Sequence, residues 1–445
     1  MTKSYWSSDD QRVIGSVYHV EKPDCFGYIL LRRASGGAFY AFENVGAFLT
    51  AREAEKDIAL RLKTLEREPE APLLRPRGSA TGIDLFQQIP KAKLNQKYKH
   101  LRDSQNQSAA RELLREIAHW VTDLDGNFVR DFQTTGYDSR IWELYLFCAF
   151  TELDFEFDRS SAVPDFRLKK GDAKLFVEAV TANPTGNVID DMDGKLPKRP
   201  ENFWHYLEHE MPQKYGSPLL SKMKKKYWSD KAVEGSPFAF AIADFHSPGS
   251  MTWSHTALSF YLYGMGVEVR NAPDGRRFGV EKPLGPHVVG NKIVPTNFFG
   301  QDAVRPVSAI IFSNAGTIAK FNRMGVLAGF GDSNVRLVRE GGLYDYDPNA
   351  LEPIPFAINV EDPEYNESWA DELEVYHNPR ALNPLPHEMI PGATHFFLED
   401  NELMWHGPER RILFSNTRSI VFPSGKIELP SSKGKRTRRK STNKP

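Results

Sequence analysis

A chain of 445 residues that is 40% hydrophobic, 26% charged and nearly neutral, at −1, is built like a globular protein of two or three domains. That balance argues against a protein that coats nucleic acid through bulk charge. Cys25 and Cys148 are its only cysteines and no C-x-x-C spacing occurs, which excludes a disulfide framework and a cysteine-rich zinc site. The N-terminus lacks an apolar signal region and no run approaches 18 apolar residues, so the expectation is a cytoplasmic protein with no membrane partner and an oligomeric state left open.

In chain order, residues 1–105 read as a small α+β module. Strand-like runs are expected at Val13–Val20, Tyr28–Leu31 and Ala38–Phe42, then a charged helix near Ala51–Arg67 and a Pro-rich break at Pro72–Pro76. Trp6, Tyr18, Phe26 and Tyr28 lack interleaved Arg or Lys and are read as core. Ser108–Val121 is an amphipathic helix, with Leu113, Leu114, Ile117 and Trp120 on one stripe. Arg140–Leu153 is a helix apolar almost all round, opened by Asp138 or Ser139 as N-cap. Strands follow at Phe155–Phe157, Val163–Leu168 and Leu175–Thr181, then a loop holding Pro184, Pro197 and Pro200. A helix opens at Ser217-Pro218, and fully apolar strands follow at Pro237–Ala243 and Val307–Phe312.

The fold class expected from this alternation is α/β, a mixed sheet flanked by helices over 106–330, with additional α+β N- and C-terminal regions. Residues 331–430 form the C-terminal mixed region, with strand-like runs at Arg411–Phe414 and Ser419–Phe422. Residues 431–445 read as a disordered basic tail, since Lys433 to Lys444 brings seven Lys or Arg and no acid. Lys435, Arg436, Arg438, Arg439 and Lys440 are its candidate nucleic-acid contacts. A tail that holds a polyanion and one that only solubilises are both open readings.

The chemistry concentrates in three acids within 36 residues: Glu143 in the apolar helix, and Asp165 and Glu178 on neighbouring apolar strands. A lone ionised acid in such surroundings needs a compensating partner. One answer is Mg²⁺ or Mn²⁺, which takes carboxylate oxygen and leaves room for water and phosphate. The other is an ion pair, with Glu143 meeting an Arg or a neighbouring cap. In the helix from Ser217, Leu219, Lys222, Met223, Lys226 and Tyr227 share one stripe, so two lysines reach the edge of the same sheet. They either snorkel to water or stabilise a reacting phosphate. Gly325–Gly331 lacks a P-loop ending, the histidines show no H-E-x-x-H, and Ser313–Thr317 is explained by a strand-to-helix turn.

Glu143, Pro164-Asp165 and Glu178 resemble, in type, order and spacing, the PD-(D/E)XK nuclease superfamily. The resemblance covers roughly residues 137–245 and implies a restriction-endonuclease-like core, a Mg²⁺ site on the three acids, and cleavage of phosphodiester bonds in DNA. It also implies a bacterial mobile-element or antiviral setting. The superfamily's Lys, two residues after the last acid, is Val180 here. Some members move that Lys to a following helix, and Lys222 or Lys226, with Tyr227 beside them, are the residues that match such a move. The alternative is a binding or regulatory protein that kept the fold and lost the chemistry, with Val180 as its mark.

Overall fold

The computed structural model describes residues 2–8, 12–21, 23–33, 39–65, 82–90, 92–184, 200–247, 249–275, 277–289, 291–347, 350, 352–400 and 402–423. The Pro72–Pro76 break and the basic tail lie outside these residues. The N-terminal part is an antiparallel meander, β1 (Thr2–Ser7), β2 (Val13–Glu21), β3 (Asp24–Arg33) and β4 (Phe39–Phe48), covered by α1 (Ala51–Leu65). Helix α1 presents Ala54, Ile58, Leu62 and Leu65 on one stripe, and these pack on Val13, Val17, Tyr28 and Leu30 of the sheet.

Four helices come next: α2 (Gln96–Asp103), α3 (Ser108–Ala118), α4 (Phe128–Gln133) and α5 (Tyr137–Glu152). Helix α5 starts a turn earlier than its cap residues suggested. Gly136 is the N-cap, and Asp138 in the first turn pairs with Lys97 at 3.0 Å. The strands β5 (Glu156–Phe157), β6 (Phe166–Lys170) and β7 (Ala173–Ala182) lead to α6 (Phe203–His205), a π turn at Tyr206–Glu210, α7 (Met211–Met223), β8 (Phe238–Asp244) and α8 (His255–Tyr263). The hairpins β9 (Met265–Asn271) with β10 (Arg277–Pro283) and β11 (His287–Val289) with β12 (Lys292–Val294) precede β13 (Ala309–Phe312) and α9 (Ile318–Leu327). The last elements are β14 (Val335–Leu343), β15 (Ile354–Asn359), β16 (Glu374–His377), β17 (Thr394–Glu399), β18 (Glu402–His406) and β19 (Ile412–Val421).

Eight strands make the central sheet in the order β18-β17-β16-β13-β8-β7-β6-β5. Its middle is parallel, β7 to β8 to β13, and its flanks bring antiparallel partners, so the sheet is mixed. It runs past residue 330, because β16 joins β13 and carries β17 and β18 with it. The two strand-like runs expected near the C-terminus are one strand, β19, which pairs with β14 in a separate three-stranded sheet. That sheet is tied to α9 through Glu367, whose buried carboxylate takes Lys320 and Arg323 at 2.8 Å and Arg339 at 3.2 Å.

Side-chain size alternates along the central strands with period two, and this decides which helix lies on which face. In β8 the alanines Ala239, Ala241 and Ala243 share one core with α5, while Phe238, Phe240 and Ile242 share the other with α7 and α8. Likewise Val177 and Ala179 of β7 face α5, and Phe176 and Val180 face α7. The small alanines let α5 approach closely enough for the Trp142 indole N–H to donate to the Ala241 carbonyl at 2.9 Å. Gly316 completes that fit, since a Cβ there would stand 2.5 Å from the Trp142 ring.

Candidate active site

The edge of the sheet between β6 and β7 brings together five of the six core residues singled out by the sequence. Phe166 pairs with Val177, so Asp165, immediately before β6, stands across from Glu178. The backbone locks this placement: Ala179 N–H donates to Asp165 Oδ2 at 2.8 Å and Asp165 N–H reaches Glu178 Oε2 at 3.3 Å. Glu178 shares the α7 face with Phe176 and Val180, and it is buried. From α7, Lys222 Nζ donates to Glu178 Oε1 at 2.5 Å, and the Tyr227 hydroxyl donates to the same oxygen at 2.5 Å. Tyr227 is held flat against Phe238, with ring centroids 5.6 Å apart.

Glu143 reaches the cluster from α5 and carries its own cation. Arg140, one helical turn earlier, donates to Glu143 Oε2 and to Asp131 at 2.7 Å each, with its guanidinium over the Phe128 ring. The expected Glu143–Arg pairing is therefore present. Burial raises the Glu143 carboxyl above the usual range; Arg140 and Lys222 pull it down and Glu178 pushes it up. The Asp165 carboxyl lies well above its ordinary value, first because protein packs around it and then because Glu178 and Glu143 repel its charge. As a residue Asp165 is exposed, while its carboxylate is the part that protein crowds. Burial and the bond to Glu178 likewise raise the Tyr227 phenol, which stays a donor.

Lys226 departs from the helical stripe expected for it. Helix α7 begins at Met211 rather than at Ser217, encloses Pro218, and ends at Met223. Lys226 then takes a left-handed conformation with φ 49°, which turns the chain so that Tyr227 points inward while Lys226 is exposed. Among the described residues no hydrogen bond or ion pair joins Lys226 to the three acids. Lys222 is the lysine of the site, and it meets the face on which Val180 lies. Lys435, Arg436, Arg438, Arg439 and Lys440 lie outside the described residues.

Among the described residues no three of His, Cys, Asp and Glu are arranged as a metal site. Each acid is instead engaged by an internal partner: Arg140 for Glu143, the Ala179 amide for Asp165, Lys222 and Tyr227 for Glu178. The chemistry of the donor set still suits a hard divalent cation, because all three groups offer carboxylate oxygen. Asp165 Oδ1 and Glu143 Oε1 have no hydrogen-bond partner among the described residues, and Glu178 Oε2 meets only the long contact from Asp165.

Residues outside the sequence-based set complete the site. Arg140 was legible from its place three residues before Glu143. Arg159 and Arg167 were not, because they border the acids only once β5 and β6 pair. No family model, curated protein or solved structure matches this chain. Among the described residues no helix is long and apolar enough to cross a membrane.

Proposed function

We propose that the protein is a Mg²⁺- or Mn²⁺-dependent nuclease that hydrolyses phosphodiester bonds in DNA, on a core of the PD-(D/E)XK kind. The observation that carries this reading is the meeting of Lys222 with Glu178 directly across from Asp165. A lysine from α7 thereby supplies the charge that the motif position, Val180, does not. Asp165 and Glu178 are the residues that would hold the cation, with Glu143 beside them. When bound, a divalent cation would polarise the scissile phosphate and acidify a water.

The remaining work belongs to the chain itself. Asp165 and Glu178 are fixed by backbone bonds and by Tyr227, so their oxygens do not have to be ordered when substrate arrives. Lys222 has a partly exposed side chain and can transfer its donor from Glu178 to a phosphate oxygen or to the attacking water. Arg140 opposes the burial that favours the neutral form of Glu143.

Incubating the protein with plasmid, linear and single-stranded DNA plus Mg²⁺ or Mn²⁺ tests the reading. Cleavage is expected, lost in Asp165→Ala and reduced roughly 10²- to 10³-fold in Lys222→Ala, the scale for removing one transition-state donor. Cleavage that survives Asp165→Ala overturns it. A second reading, a binding protein on the same fold, is favoured by one observation: both donors on Glu178 converge on a single oxygen, a closed arrangement that is complete without a metal.

A further inference from the structure

Beside the acids lies a cavity of about 140 Å³, bordered by Glu143, Asp165, Phe147, Phe157 and Arg159 among others. It is roughly ten times the space one water needs by the same measure, so it suits a planar ring better than a lone ion. Phe147 and Phe157 form its aromatic wall, with ring centroids 5.0 Å apart. The Arg159 guanidinium sits 5.9 Å and 6.0 Å from those two rings.

Among the described residues Arg159 is the guanidinium of this cavity that has no carboxylate partner, whereas Arg140 is held by Glu143 and Asp131. Arg159 donates to the Trp120 carbonyl at 2.8 Å and to the Thr122 hydroxyl, both neutral, and among the described residues no carboxylate pairs with it. Arg167 turns the other way: it pairs with Phe176 across β6 and β7, its guanidinium lies over the Phe176 ring on the α7 face, and Asp158 stands 3.7 Å from it. Three further acids border the cavity, Asp158, Asp123 and Asp125. The last two are engaged by backbone: Asp123 takes the N–H of Gly126 at 2.8 Å and of Phe128 at 3.1 Å, and Asp125 takes Asn127 at 3.1 Å. An aromatic wall beside one half-buried guanidinium that no carboxylate pairs, next to Glu143 and Asp165, is a nucleotide-sized combination.

We propose that this cavity takes one unpaired nucleotide flanking the scissile phosphate, its base against Phe147 and Phe157 and its phosphate toward Arg159, so that the substrate is single-stranded or carries an unpaired base there. The proposal rests on the nuclease reading for the word scissile, but the binding it describes does not. In an intact duplex the same nucleotide must first leave its stack, which penalises duplex substrates.

The test is fluorescence anisotropy, without divalent metal, of a short labelled single-stranded oligonucleotide and of its duplex, with DNA and RNA strands compared. Wild-type protein is expected to prefer the single strand by roughly 5-fold or more, the scale of one stacked base. Arg159→Ala should erase that preference and Arg159→Lys should keep part of it. A 2-aminopurine placed in the strand should change its emission on binding to the wild type, which tests the aromatic wall even if a variant misfolds. Equal affinity for the two forms, or a preference unchanged in a stably folded Arg159→Ala, overturns the proposal. Single-strand preference without cleavage leaves this site standing and removes the catalytic reading; equal cleavage of both forms does the reverse.

Discussion

Glu178 receives two donors on one oxygen, so neutralising it has a predictable sign. Glu178→Gln leaves the Lys222 ammonium without its counter-charge. Complete burial would make that loss on the order of 3 kcal/mol. Lys222 is 29% exposed at its side chain, so solvent recovers part of it and a destabilisation of about 1–2 kcal/mol is expected in urea denaturation without metal. A stabilised variant would show that repulsion from Asp165 outweighs the pair. Asp165→Asn should act in the opposite direction. A carboxyl whose folded pKa lies above its unfolded value contributes stability in full only below the unfolded value, near 3.9, and loses it as pH rises through the folded one. At neutral pH the raised Asp165 carboxyl therefore costs stability, and Asn can still accept from Ala179. The variant should melt higher than wild type at pH 7, with the gain vanishing near pH 4, while cleavage is abolished. A lower melting temperature at pH 7 would contradict the placement of Asp165 among like charges.

At the scale of the element, what the sequence disclosed depended on period. Strand β8, Phe-Ala-Phe-Ala-Ile-Ala-Asp, alternates large and small, and both its burial and its two faces follow from that alternation. Asp165 and Glu178 were legible as acids in apolar strands. Helix α7 was less so, because Ser217-Pro218 carries the usual signal of a helix start while sitting inside a helix whose true first turn holds Pro212. The stripe that included Lys226 failed for a local reason, the left-handed residue after Met223, which no periodicity encodes. The membership of β16 to β18 in the central sheet was hidden too, since that pairing joins residues about 65 apart. A prediction follows from the shared face of Glu178, Val180 and Lys222. In a Lys222→Ala background, Val180→Lys places an ammonium two residues after Glu178 on the same face, and cleavage should recover by tenfold or more over Lys222→Ala alone, about 1.4 kcal/mol of transition-state stabilisation. Recovery equally strong from Ala179→Lys, on the α5 face, would rule out the displaced-lysine account.

Over the whole molecule the charge is divided: the tail's seven positive charges leave the remaining chain at −8 within a total of −1. An acidic body repels a polyanion at long range, so any nucleic acid reaching the β6–β7 edge has to be attracted by something else. If the tail does this, binding is steeply salt-dependent, and each phosphate it neutralises contributes about 0.9 to the log–log slope on duplex DNA and about 0.7 on single strands. Deleting residues 433–445 should then flatten the slope by up to about 6 on duplex DNA and weaken binding most at low salt. Contacts made by the cavity act at short range and discriminate between strands through stacking, which salt barely touches. The same deletion should therefore keep the single strand ahead of the duplex while lowering both affinities, the duplex more because its slope per phosphate is steeper. A slope unchanged by the deletion would assign the tail no part in binding. A lost strand preference with an intact slope would move recognition from the cavity to the tail.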